Sequence, residues 1–107
     1  MIRNIEEPYR FPFCWVEGDC KPPLTCTLVD QDLTGYTITL HLRRKDGSVV
    51  IKTATAIDLT QGHFIFEWDL GDLLEGYGQE AEVQFVDPVG KPQTSRIFLI
   101  DVRGQLA

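Results

Sequence analysis

The sequence predicts an all-β fold, an antiparallel sandwich of about seven strands with one short helical turn. Three observations carry this. From Leu24 onward, apolar residues recur with a period of two, the repeat of a half-buried strand. Turn-forming residues interrupt that repeat about every 8–12 residues, the spacing of sandwiches and barrels. No segment of helical period is long enough to connect parallel strands, which excludes a doubly wound α/β sheet. A small β-barrel is the alternative architecture.

The elements follow in order. Leu24, Cys26 and Leu28 alternate with Thr25 and Thr27, and turn formers from Asp30 to Gly35 end the run. Tyr36, Ile38, Leu40 and Leu42 then alternate with Thr37, Thr39, His41 and Arg43, the clearest strand in the chain. Asp46-Gly47 between apolar runs signals a type I′ hairpin, so Tyr36–Lys45 should pair antiparallel with Ser48–Ala54. Gln61-Gly62 opens His63–Trp68, where Phe64, Phe66 and Trp68 share a core face. Asp69–Glu75 is the place for the helical turn, with Asp69 or Asp72 as its cap. Ala81, Val83 and Phe85 form an apolar face, a loop follows at Asp87–Lys91, and Ser95–Val102 turns Phe98, Ile100 and Val102 inward. With these strands in place, an immunoglobulin-like sandwich is the expected form.

Residues 1–15 read as an N-terminal arm or edge strand, and 16–107 as the sandwich domain. Tyr9, Phe11, Phe13 and Trp15 alternate along this arm while Pro8 and Pro12 punctuate it. Proline offers no backbone donor, which confines such a strand to a sheet edge or a bulge. Four aromatic rings on one face need cover, from the domain's own sandwich or from a neighbouring subunit. Together with the outer residues Thr37, Thr39 and His41, they are the candidate interface.

A length of 107 residues is expected to form one domain around one core. Its net charge of −6 and its one basic cluster, Arg43-Arg44-Lys45 beside a turn, argue against a nucleic-acid partner. No apolar run reaches membrane-spanning length, and Met1–Phe13 lacks the apolar region of an export signal. Cys14, Cys20 and Cys26 are an odd number, expected as free thiols in a reducing compartment.

His41 and His63 are the two histidines, and both are expected at the surface without a catalytic partner. Asp30-x-Asp32-x-Thr34-Gly35 matches the first half of a calcium loop, but the glutamate such a loop needs falls on His41. An Asx-turn between strands explains the same residues, which leaves at most weak surface binding of calcium at Asp30 and Asp32. Glu67, Asp69, Asp72 and Glu75 are expected as solvated charge around a turn. The expectation is therefore a protein that is not an enzyme, with no catalytic, cofactor or metal site.

A series of short motifs runs through the chain in order. Glu17-Gly18-Asp19, Pro23-Leu24, Val29-Asp30 and Leu33-Thr34-Gly35 come first, then Lys45-Asp46-Gly47 and Gly62-His63-Phe64-Ile65-Phe66-Glu67-Trp68. Leu70-Gly71-Asp72-Leu73, Gly76, Glu80-Ala81-Glu82-Val83, Gly90-Lys91-Pro92 and Thr94 complete it. From Val16 to Val102 this resembles the N-terminal immunoglobulin-like domain of phage baseplate upper proteins and related tailed-phage structural proteins. The resemblance implies a non-catalytic virion component, assembled in the host bacterial cytoplasm and held by contacts with other tail, neck or capsid proteins or with copies of itself. The fibre or receptor-binding region that follows in the family is not part of this sequence, so a tail or baseplate adaptor, a neck component and a head decoration protein are the expected roles. The competing expectation is a carbohydrate- or ligand-binding module whose exposed aromatics stack on sugar.

Overall fold

The computed structural model describes residues 9–106; the first eight residues of the expected arm, Pro8 included, lie outside the described part. The strands are β1 (Tyr9–Val16), β2 (Leu24–Thr27), β3 (Thr37–Arg43), β4 (Val49–Thr53) and β5 (Thr55–Asp58), followed by β6 (His63–Phe66), β7 (Gly76–Val86), β8 (Pro92–Thr94) and β9 (Phe98–Arg103). A 3₁₀ turn, Leu59–Gln61, separates β5 from β6.

Two sheets form, so the fold is a sandwich rather than a barrel. The larger has the order β1-β9-β7-β3-β4, with β8 also paired to β7; the smaller has the order β2-β6-β5. Alternation along each strand points one face of each sheet into a shared core. Ile38, Leu40 and Leu42 of β3 and Ala81 and Val83 of β7 meet Leu24, Phe64 and Phe66 there. Trp15, Leu33, Trp68, Leu73, Ile100 and Val102 close its ends.

Four details depart from the sequence reading. Among the described residues nine strands form instead of about seven. The chain crosses between sheets at Ala54, whose N–H still donates to Ile38 O at 2.9 Å, and Pro92–Thr94 is a short strand of its own. Secondly, the larger sheet is mixed, because β1 runs parallel to β9. Thirdly, neither Lys45 nor Asp46 adopts positive φ, so the turn is not type I′. Gly47 N–H donates to Arg44 O at 2.9 Å and Gly47 takes φ 91°, the type I turn with a bulge that a longer hairpin loop uses.

Finally, the helical turn lies at Leu59–Gln61 and not at Asp69–Glu75. Gly62 ends it in the left-handed region at φ 74°, where an added Cβ would stand 2.1 Å from Leu28 O. At Asp69–Glu75 a local turn forms, with Asp72 N–H donating to Asp69 O at 3.1 Å, and two of the carbonyls that a helix would use internally are taken by a tertiary partner. Arg44 Nη1 donates to Gly71 O at 2.8 Å and to Asp72 O at 3.3 Å.

Candidate functional site

Three strands cannot cover a sheet whose main path has five. The uncovered part lies on the flank where β1 and β9 extend past the free edge of β2. It forms an open groove of about 710 Å³. Phe11, Phe85 and Phe98 of the larger sheet, Cys26 and Phe64 of the smaller, and Tyr9 at its mouth are among the residues lining it. Phe64 packs edge-on against Phe85 across the two layers, with ring centroids 5.9 Å apart.

β1 keeps its four aromatics in register despite an interruption. Tyr9 lies beside Phe98 and Trp15 beside Val102, yet β1 uses residues 10–14 against 99–101 of β9. Two extra residues preserve the parity of the alternation, and Pro12 sits in that bulge where no ladder donor is required. The rings are in sequential contact: Tyr9 on Phe11 at 6.4 Å, Phe11 on Trp15 at 5.6 Å and Phe13 on Trp15 at 4.9 Å. Their exposures differ sharply. Trp15 is 2% exposed, whereas Tyr9 is 63% and Phe13 44% exposed. Trp15 also donates from Nε1 to Pro22 O at 2.7 Å, which fixes the approach to β2. The domain's own core thus covers Trp15, and Phe11 packs beside it half-buried. Tyr9 and Phe13 stay in solvent, edge-on to Phe11 and Trp15 at 82° and 76°.

The free edge of β2 borders the same groove. Leu28 N–H donates to Gly62 O at 2.9 Å, and the antiparallel alternation that this bond fixes turns the N–H and C=O of Thr25 and Thr27 away from β6. No strand lies on that side of β2 among the described residues. The Cys26 thiol sits at the groove wall, and burial pushes its pKa up to about 11, so it serves as a small apolar group and not as a nucleophile.

The other expected interface residues, Thr37, Thr39 and His41, lie on the opposite face of the larger sheet. Thr37 is exposed, and Thr39 and His41 are half-buried. His41 was expected to be exposed; instead its neighbours on β4 and β7 are Ile51 and Glu82, and its Nδ1 is shielded without a hydrogen-bond partner. The structure therefore divides the candidate residues between two surfaces. Sequence reasoning missed Leu28, Phe85, Ile97 and Phe98 as groove residues, since only strand pairing and the packing of the two layers gather residues so far apart in the chain.

The carboxylates have structural work. Asp32 Oδ1 accepts from Thr34 Oγ1 at 2.6 Å and from Thr34 N at 3.0 Å, the Asx-turn geometry, and those two bonds hold its pKa below the usual carboxylate value. Asp69 and Asp72 are not merely solvated charge: Lys52 Nζ lies 2.6 Å from one and 2.8 Å from the other. Among the described residues no three His, Cys, Asp or Glu side chains gather as a metal-holding group.

Comparison of the chain with protein-family models, curated proteins and solved structures gives no match. The geometry defines an all-β sandwich with one uncovered apolar flank.

Proposed function

We propose that this chain is a non-catalytic structural protein of a tailed-phage particle, acting through protein–protein contacts as a tail or baseplate adaptor, a neck component or a head decoration. The observation that carries the protein-contact part is the groove, where Tyr9 is exposed and Phe11, Phe85 and Phe98 of the larger sheet are only half-buried beside the smaller one. A folded domain keeps such a surface at a cost in solubility, and a partner that covers it removes that cost. The virion setting comes from the resemblance of Val16–Val102 to tailed-phage baseplate domains. In that setting the chain folds in the host bacterial cytoplasm and joins other virion proteins there.

Mass spectrometry of density-gradient-purified particles of the phage encoding this chain tests the reading. The expected result is a fixed copy number per particle, retained through a high-salt wash. Particles lacking the chain while it accumulates in the infected-cell lysate would contradict it.

A further inference from the structure

The two ends of β1 are not held alike. Its pairing with β9 falls into two stretches: Tyr9 and Arg10 lie beside Phe98 and Leu99, and Cys14, Trp15 and Val16 beside Asp101, Val102 and Arg103. Between them the register shifts at the Pro12 bulge, and residues 11–13 form no ladder pair. The inner stretch is pinned by the buried Trp15, by its bond to Pro22 O, and by Glu17 N–H donating to Arg103 O at 2.8 Å. In the outer stretch Tyr9 and Arg10 are exposed and Phe11 is half-buried.

Among the described residues, one charged contact ties the outer stretch to the rest of the sheet. Arg10 reaches over β9 to Asp101, and its Nη2 lies over Gly78 of β7, 3.8 Å from where a Cβ on that glycine would stand. A second bulge, between Gly76 and Gln79 of β7, turns the Gly78 N–H out of the ladder, and it donates to Asp101 Oδ1 at 2.8 Å. Asp101 is thereby anchored to β7 with its side chain 16% exposed, while that of Arg10 is 52% exposed. One half of the ion pair is fixed, and the other half travels with β1.

From the divided ladder and this ion pair we infer that Tyr9–Phe11 is a strap, hinged at the Pro12 bulge and latched by Arg10 on Asp101. Alternation puts Arg10 on the outer face of the sheet and Tyr9 and Phe11 on the groove. Releasing the latch on one face therefore swings the groove wall on the other and uncovers Phe98. The opening is local: it breaks two ladder pairs, the contact of the Phe11 ring with Trp15 at 5.6 Å and a partly exposed ion pair, and leaves Trp15 in place. A wall that moves lets the groove take a partner broader than the closed trough, which goes beyond the protein-contact reading above.

The test is amide exchange on the intact, isotope-labelled chain, with Arg10→Gln, Asp101→Asn and the two together. In the unsubstituted chain, amides within 9–11 should exchange at least about tenfold faster than those within 14–16. Their rates should not respond to low urea, since opening the strap exposes little surface. Each single change should speed exchange within 9–11 by about two- to fivefold, the range for one partly exposed ion pair, and keep it independent of urea. The double change should do no more than the larger single one, because both remove the same latch. Both single variants should also bind more 8-anilinonaphthalene-1-sulfonate, although their charge changes are opposite. Unchanged exchange within 9–11 in the variants, one urea dependence shared by both stretches, or dye binding that follows net charge would each overturn the strap. Exchange is read on the isolated chain, so its failure leaves the virion reading standing, and absence of the chain from particles leaves the strap standing.

Discussion

Trp15 links the N-terminal strand to the core by two means. Its ring is buried edge-on against Trp68 at 5.9 Å, and its Nε1 donates to Pro22 O. Trp15→Ala should therefore lower stability by about 3–5 kcal/mol in urea unfolding, the range for a buried large aromatic. Asp101 makes a second link at residue scale. Its Oδ1 accepts from Arg10 on β1 and from Gly78 N at 2.8 Å on β7. Burial opposes ionisation, but the bonds from Arg10 and Gly78 and the Arg10 charge outweigh it and hold the carboxyl below its usual pKa. A carboxyl held low in the folded state stabilises above its unfolded value of about 3.9, and that contribution disappears as pH falls through the folded value. Asp101→Asn should thus cost stability at neutral pH and show a smaller loss than the unsubstituted chain on acidification below about pH 4. Urea midpoints across that range check both signs.

Among the elements, β4 shows how one side chain can govern an edge. Val49 and Ile51 face solvent there, and Lys52 turns into the molecule between two carboxylates. The expected result for Lys52→Val is a loss of about 1–3 kcal/mol, because Asp72 keeps its partly buried charge without a counterion. The same change leaves a continuous apolar edge, so analytical ultracentrifugation should show concentration-dependent association of this variant. None of this was visible in the sequence, where Lys52 is one polar position in a predicted strand and Asp69 and Asp72 look like helix caps. Strands β3, β6 and β7 were legible because period-two alternation is a local property, and their inward apolar residues are the expected ones, although β7 also buries Gln79, which was not expected. The sheet switch at Ala54 and the absence of a helix at Asp69–Glu75 were not, because each depends on a distant partner: Ile38 in one case, Arg44 in the other.

For the whole molecule, the decisive feature is the inequality of the two layers. Composition and alternation announce a sandwich, but they do not say how strands divide between sheets, and that division alone opens the flank beside β2. The aromatic arm was legible as a surface in need of cover. Its partition into a buried Trp15, a half-buried Phe11 and exposed Tyr9 and Phe13 depends on the parallel register with β9 and on the bulge at Pro12. Under the proposed function, this flank, and not the face of Thr37, Thr39 and His41, is the contact surface. Hydrogen exchange read by mass spectrometry, on the free chain and on the chain within purified particles, tests that most directly. Segments 24–28 and 95–98 should exchange more slowly in the particle, while 37–43 stays as in the free chain. Protection confined to 37–43, with the groove segments unchanged, would contradict it.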